Sequence, residues 1–170
     1  MLNAVGAVMV MTGMVGLAWR AVGRLGERVE LLRSLQGAVS YLEEEVSFRF
    51  TPLPKLFEHL AQSRRGPAGR FFQGILHTLA EPGEPTLRQS WRKALREELP
   101  QLRETERQTL EELGEVLGQY DAQTQAKALR LAGQRLAEAY IEARAERQRL
   151  GKVYLTLGVA GGLVTVLVLI

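Results

Sequence analysis

The stretch Leu25 to Val46, LGERVELLRSLQGAVSYLEEEV, decides the fold class. Its apolar residues Leu25, Val29, Leu32, Leu35, Val39, Leu42 and Val46 recur every three or four positions, with Arg28, Glu30, Arg33, Glu43 and Glu44 between them. That spacing draws one apolar stripe down one face of an α-helix and leaves charge on the other. No breaker separates this helix from the residues before it. The same period returns downstream. Thr51-Pro52 reads as a restart, a hydroxyl cap followed by a proline at the first helical position, and a second helix then turns Leu53, Leu56, Phe57 and Leu60 inward. Gly66-Pro67 breaks the chain, and Phe71, Phe72, Ile75 and Leu79 mark a third helix.

Glu81-Pro82-Gly83-Glu84-Pro85 is a loop that no helix crosses, and Thr86 caps a fourth helix carrying Leu87, Trp91 and Leu95. Pro100 ends or bends it. Leu110, Leu113 and Leu117 mark a fifth helix, with Trp91 expected in the core. Gly118 suits the left-handed closing conformation, and Asp121 the N-cap of a long sixth helix. That helix runs from Ala122 through Leu129, Ala132, Leu136, Tyr140 and Ala143 toward Leu150, with Gly151 as the one interruption before the last apolar segment. No stretch alternates apolar and polar residues for long enough to form a sheet, so the chain is expected to be all-α.

The ends differ from the middle. All 22 Lys and Arg and all 19 Asp and Glu of the 170 residues fall between Arg20 and Lys152. At about 1.5 Å per residue, the charge-free run 1–19 is as long as a bilayer's hydrocarbon core is thick, and 153–170 is nearly so. Positive charge follows the first run, at Arg20, Arg24, Arg28 and Arg33, which is opposite to a cleaved signal peptide. Arg144, Arg147, Arg149 and Lys152 precede the second. These arginines put the middle in the cytoplasm and both termini outside, with Trp19 and Tyr154 at the headgroup layer. The expectation is therefore a six-helix cytoplasmic bundle, 20–152, between transmembrane helices 1–19 and 153–170, with the lipid bilayer as its first partner. The net charge of +3 and the pI near 9.5 owe much to the flanking arginines, and so suit an anionic membrane surface better than nucleic acid.

No chemistry announces itself. With no cysteine there is no disulfide, thiolate nucleophile, Cys-ligated zinc or iron-sulfur site. Gly66, Gly69 and Gly74 lack the Lys-Ser/Thr continuation of a phosphate loop. His59 and His77 read as surface or interhelical packing residues. Glu43, Glu44 and Glu45 are about 100° apart on a helix and do not converge on one bond, so they read as a solvated face or docking patch. Arg64 and Arg65, with Arg70, make a basic loop without interleaved aromatic residues, a second candidate contact surface and a poor nucleic-acid site. Gly158 and Gly162 form a small-xxx-small step, a candidate helix-packing face within the membrane. No catalytic residue, cofactor or metal is expected.

Several stretches together resemble the stage III sporulation protein AB family: Leu42 to Phe48 (LEEEVSF), Thr51-Pro52-Leu53, Leu113 to Gly118 (LGEVLG) with Asp121 and Gln125, and Lys152 with Tyr154 to Gly158 before an apolar end. The likeness covers nearly the whole chain. Leu113 stands where many members have an aromatic residue, and Phe48 where Tyr is frequent. The resemblance implies structural positions at Thr51, Pro52, Gly114, Gly118 and Asp121. It also implies a scaffold on the mother-cell side of a transenvelope, secretion-like channel, in the outer forespore membrane. Its cytoplasmic domain would be similar to that of the type II secretion and type IV pilus platform protein, beside other channel subunits and a separate cytoplasmic ATPase. Homo-oligomerisation is compatible with such a role. On the residues alone, a membrane-anchored adaptor or sensor unrelated to secretion fits equally well.

Overall fold

The computed structural model describes residues 2–49, 51–83 and 85–169, with the side chains of most of residues 2–21 and 154–169 outside the description. Six α-helices and one short π-helical turn account for the described regular structure, and there is no strand among the described residues. Helix α1 is Leu2–Glu44 and passes into the π-helical turn Glu45–Arg49; α2 is Leu53–Ser63, α3 Gly66–Leu79, α4 Leu87–Glu98, α5 Glu104–Val116 and α6 Ala122–Leu169. The all-α expectation holds, with the same six helices in the same order. Among the described residues no helix is long and apolar enough to cross a membrane. The two expected spans fall mostly on side chains outside the description, and packing at Gly158 and Gly162 lies outside it altogether.

The chain divides into two compact units. The first comprises 1–29 and 141–170. There α1 and α6 are tied by an ion pair of Arg28 Nη1 with Glu146 Oε2 at 3.0 Å, and Val29, Ala143 and Gly151 are buried. Gly26 lies under the Arg147 side chain, whose Cζ is 3.4 Å from where a β-carbon would stand.

The second unit, 30–140, holds α2 to α5 together with parts of α1 and α6. Helices α2 and α3, α3 and α4, and α4 and α5 pack as successive neighbours. The apolar stripes read from the sequence form its core: Leu32, Leu35, Val39 and Leu42 of α1, Leu56, Phe57 and Leu60 of α2, and Phe71, Phe72 and Ile75 of α3 are buried. So are Trp91 and Leu95 of α4, Leu110 and Leu113 of α5, and Leu129, Ala132 and Leu136 of α6. At its centre Trp91 meets Phe71 edge-on, with centroids 4.9 Å apart, while Phe57 stacks on Phe72 at 5.9 Å. Aromatic rings favour such offset and edge-on contacts over a face-to-face sandwich.

Local signals set most helix ends. Thr86 accepts from Gln89 N at 3.3 Å while the Gln89 side chain accepts from Thr86 N at 3.0 Å, a reciprocal capping box. Pro100 terminates α4, which ends at Glu98, and does not bend it. Gly118 has φ +77°, the left-handed conformation expected of it. One expected cap is different. Pro52, not Thr51, occupies the N-cap position of α2, and no side chain caps that helix. The Thr51 hydroxyl donates to the buried Glu45 Oε2 at 2.9 Å, and α2 starts one residue later than a Thr51 cap requires.

Candidate interaction surface

The three consecutive glutamates do not form one patch. Glu45 lies in the π-helical turn and is 6% exposed, with its carboxylate accepting from Thr51 and paired with Arg49 Nη1 at 3.1 Å. A π turn adds a residue to the helical loop and rotates the following side chains relative to an α-helix. Here it accompanies a carboxylate turned inward, so Glu45 is a structural tie and leaves the candidate surface. Glu43 is half-buried and accepts from Arg130 Nε of α6 at 2.8 Å. Only Glu44 of the three is exposed.

Gly114, Gly118 and Asp121 are each held by packing or by local hydrogen bonds. A β-carbon at Gly114 would stand 2.7 Å from both Cγ and Nε1 of Trp91, so the indole and the α5 backbone touch directly. Trp91 Nε1 donates to Leu110 O at 2.8 Å in this buried contact, satisfying its one polar atom. Gly118 closes α5 beneath Leu87 Cδ2, which would lie 3.0 Å from an added β-carbon, with Leu53 Cδ1 at 3.6 Å. The Gln125 side chain accepts from Gly118 N at 3.2 Å and donates to Tyr120 O at 2.6 Å, pinning the turn. Asp121 is the cap expected. Its Oδ1 accepts from Thr124 N at 3.0 Å and its Oδ2 from the Thr124 hydroxyl at 2.7 Å. Those bonds, the hydroxyl's first, hold its carboxyl below the ordinary aspartate range.

The basic loop between α2 and α3 divides differently. Arg65 is exposed at the N-cap position of α3, whereas Arg64 is half-buried. The Arg64 guanidinium lies against α1 at Gly37, where a β-carbon would meet Nη1 at 3.2 Å and Nη2 at 3.3 Å. Its main chain is equally confined: a β-carbon at Gly69 would be 3.0 Å from the Arg64 carbonyl carbon and nearer still to its oxygen. Sequence reading gave Gly37 and Gly69 no role. At Gly37 the contact joins α1 to the distant α2–α3 turn, and at Gly69 it joins α3 to that same turn five residues earlier.

Other surface charges pair across helices. Glu115 of α5 meets Arg88 and Arg92 of α4, the latter at 2.6 Å. Arg135 meets Glu112 at 2.6 Å, and Arg70 meets Glu98 at 2.9 Å. Glu81 lies between Lys93 Nζ at 2.9 Å and His77 Nδ1 at 3.5 Å. The Lys93 hydrogen bond holds the Glu81 carboxyl down, and Glu81 in turn holds the Lys93 ammonium up. His77 is thus a surface partner of Glu81, and His59 rests beside Tyr41 with ring centroids 5.0 Å apart. No group of three or more His, Asp or Glu converges on a metal position among the described residues.

Six helices, an aromatic core and polar residues that serve as caps and interhelical ties define the described residues as an all-α protein. The chain belongs to the stage III sporulation protein AB family, whose model matches residues 3–170. It is similar to stage III sporulation protein AB of Bacillus subtilis (strain 168), 26% identical over 171 residues and covering 99% of each chain. It is also similar to a solved structure of stage III sporulation protein AB, with a TM-score of 0.65 at 26% identity, covering 72% of this chain and 98% of that one.

Proposed function

We propose that this protein is a non-enzymatic platform subunit on the mother-cell side of a secretion-like channel used in sporulation, held by two terminal membrane spans with residues 20–152 in the cytoplasm. One observation carries the reading: α1 and α6 are each a single helix, Leu2–Glu44 and Ala122–Leu169, joining a charge-free terminal run to the folded middle of the chain. Membership of a sporulation family supplies the setting. The exposed indole of Trp19, next to Arg20 at the end of the first run, suits a headgroup layer. Confinement to a membrane raises the effective concentration of weakly binding partners, so modest contacts can assemble a complex that would not form from solution. Other channel subunits, a separate cytoplasmic ATPase and further copies of this chain are the partners such a platform would hold.

Because the chain has no cysteine, single cysteines at Asn3 and Gln62 label without background. In vegetative cells made to express the chain, where the outer face of the membrane opens to the medium, an impermeant thiol reagent should reach the residue-3 site and miss the residue-62 site. Labelling of the residue-62 site alone would reject the topology.

A further inference from the structure

In the unit 30–140 six arginines pair with an intrachain carboxylate: Arg49 with Glu45, Arg70 with Glu98, Arg88 and Arg92 with Glu115, Arg130 with Glu43 and Arg135 with Glu112. Arg33, Arg64 and Arg65, like Arg96 and Arg107, have none among the described residues, and Arg64 links the first three. The Arg64 guanidinium rests on Gly37, one helical turn from Arg33 on α1, and Arg65 is its chain neighbour. We propose that Arg33, Arg64 and Arg65 form the docking site for an acidic segment of a partner protein.

Arg64 is the built part of this site. Its N–H is bonded to Leu60 O at 3.0 Å, its carbonyl is pressed onto Gly69, and its guanidinium is seated on Gly37, so both ends of the residue are fixed. Its Nε is shielded from water and has no acceptor among the described residues. A half-buried cation of this kind has given up hydration without an intrachain anion in return, which favours a carboxylate arriving from outside. Because the side chain is already held, less freedom is lost when the contact forms. Arg33 and Arg65, both exposed, add charge and range to the fixed guanidinium.

The choice of a protein over a lipid surface rests on the two-span reading. Arg33 follows Trp19 by fourteen residues of one helix, about 21 Å at the α-helical rise. That is more than two Debye lengths at physiological ionic strength, about 8 Å each, so headgroup charge is largely screened there unless the helix lies flat on the bilayer.

The test uses the full chain in membranes of sporulating cells and a zero-length carbodiimide, which joins an amine only to a carboxylate it touches. Arg33→Lys and Arg65→Lys, made singly, each place an amine in the site. The expected product is an isopeptide bond from that amine to an Asp or Glu within an acidic stretch of a different polypeptide, lost when Arg64→Glu is added. In the otherwise native chain, Arg33→Glu with Arg65→Glu should lower recovery of that same polypeptide about tenfold or more, with the melting temperature unchanged. Coupling to the carboxylate of a serine phospholipid, coupling only to this chain itself, absence of coupling, or recovery unaffected by charge reversal would each overturn the proposal. The cysteine labelling of residues 3 and 62 reads the topology separately. A failed topology with a mapped acidic partner would therefore be distinct from a sound topology with an empty docking site.

Discussion

The indole of Trp91 fills the space in which a side chain at Gly114 would begin. A β-carbon there would lie 2.7 Å from Cγ and Nε1, atoms fixed by the bond from Nε1 to Leu110 O and by Phe71 against the ring. Gly114→Ala should therefore destabilise the protein by about 1–3 kcal/mol through overpacking, although alanine is the better helix former by up to ~1 kcal/mol. Urea unfolding of the full chain in detergent, followed by circular dichroism, measures this. In a Trp91→Leu background the same substitution should cost much less, and an equal cost would show that the indole is not the obstacle.

The buried carboxylate of Glu45 should matter to stability, and exposed Glu44 should not. Glu45→Ala removes the acceptor of the Thr51 hydroxyl and the partner of Arg49, and should cost about 1–3 kcal/mol. Glu45→Gln keeps an acceptor for Thr51 and should cost less. Glu44→Ala should leave unfolding unchanged within about 0.5 kcal/mol. If Glu44→Ala proved the more damaging of the two alanine substitutions, the inward placement of Glu45 would be wrong.

The cap at Asp121 should be visible as a pH effect. Its carboxyl is held below the ordinary aspartate range by the Thr124 hydroxyl and N–H, so the charged form is favoured in the folded state. A depressed folded value means that the contribution is complete above the unfolded group's titration and is lost as pH falls through the folded value. At neutral pH Asp121→Ala should lower the melting temperature by about 2–4 °C and Asp121→Ser by clearly less. The difference between wild type and Asp121→Ala should shrink as the pH is taken below the ordinary aspartate range. A difference that grows on acidification would reverse the assigned sign.

A platform acts from the membrane, so the soluble 21–150 fragment should not restore spore formation at normal abundance. Replacing 153–170 with an unrelated apolar helix that lacks Gly158 and Gly162 should weaken assembly if that face packs on another helix. Recovery of complexes from sporulating cells and counts of heat-resistant spores read the two arms. Rescue by the anchorless fragment would count decisively against the scaffold reading.

What could be read in advance depended on how far each interaction reaches along the chain. Thr86 and Asp121 were legible as caps because each bonds a backbone N–H only three residues on. The stripe from Leu25 to Val46 was legible because a helix repeats its buried face every three or four residues, and from Val29 to Val46 every member of it is buried. Thr51 was misread as a cap. The helix starts at Leu53 with Pro52 as its N-cap, one residue later than a Thr51 cap requires, and the hydroxyl meets the buried carboxylate of Glu45.

By itself, then, the sequence determined the helical class, the order of the six helices, the core-facing residues and the charge-free character of both ends, all properties of residues within a turn or two of one another. Tertiary structure alone decided that Gly114 had to be bare for Trp91, that Gly37 and Gly69 seat Arg64, and that Glu45 points inward from a π-helical turn while Glu44 stays in water. Gly114 and Gly37 are far along the chain from the groups they admit, which no local pattern encodes, and Gly69 meets the Arg64 main chain across the break between α2 and α3. Glu45 is set by the turn that ends α1, where the added π-helical residue changes which side of the chain meets the core.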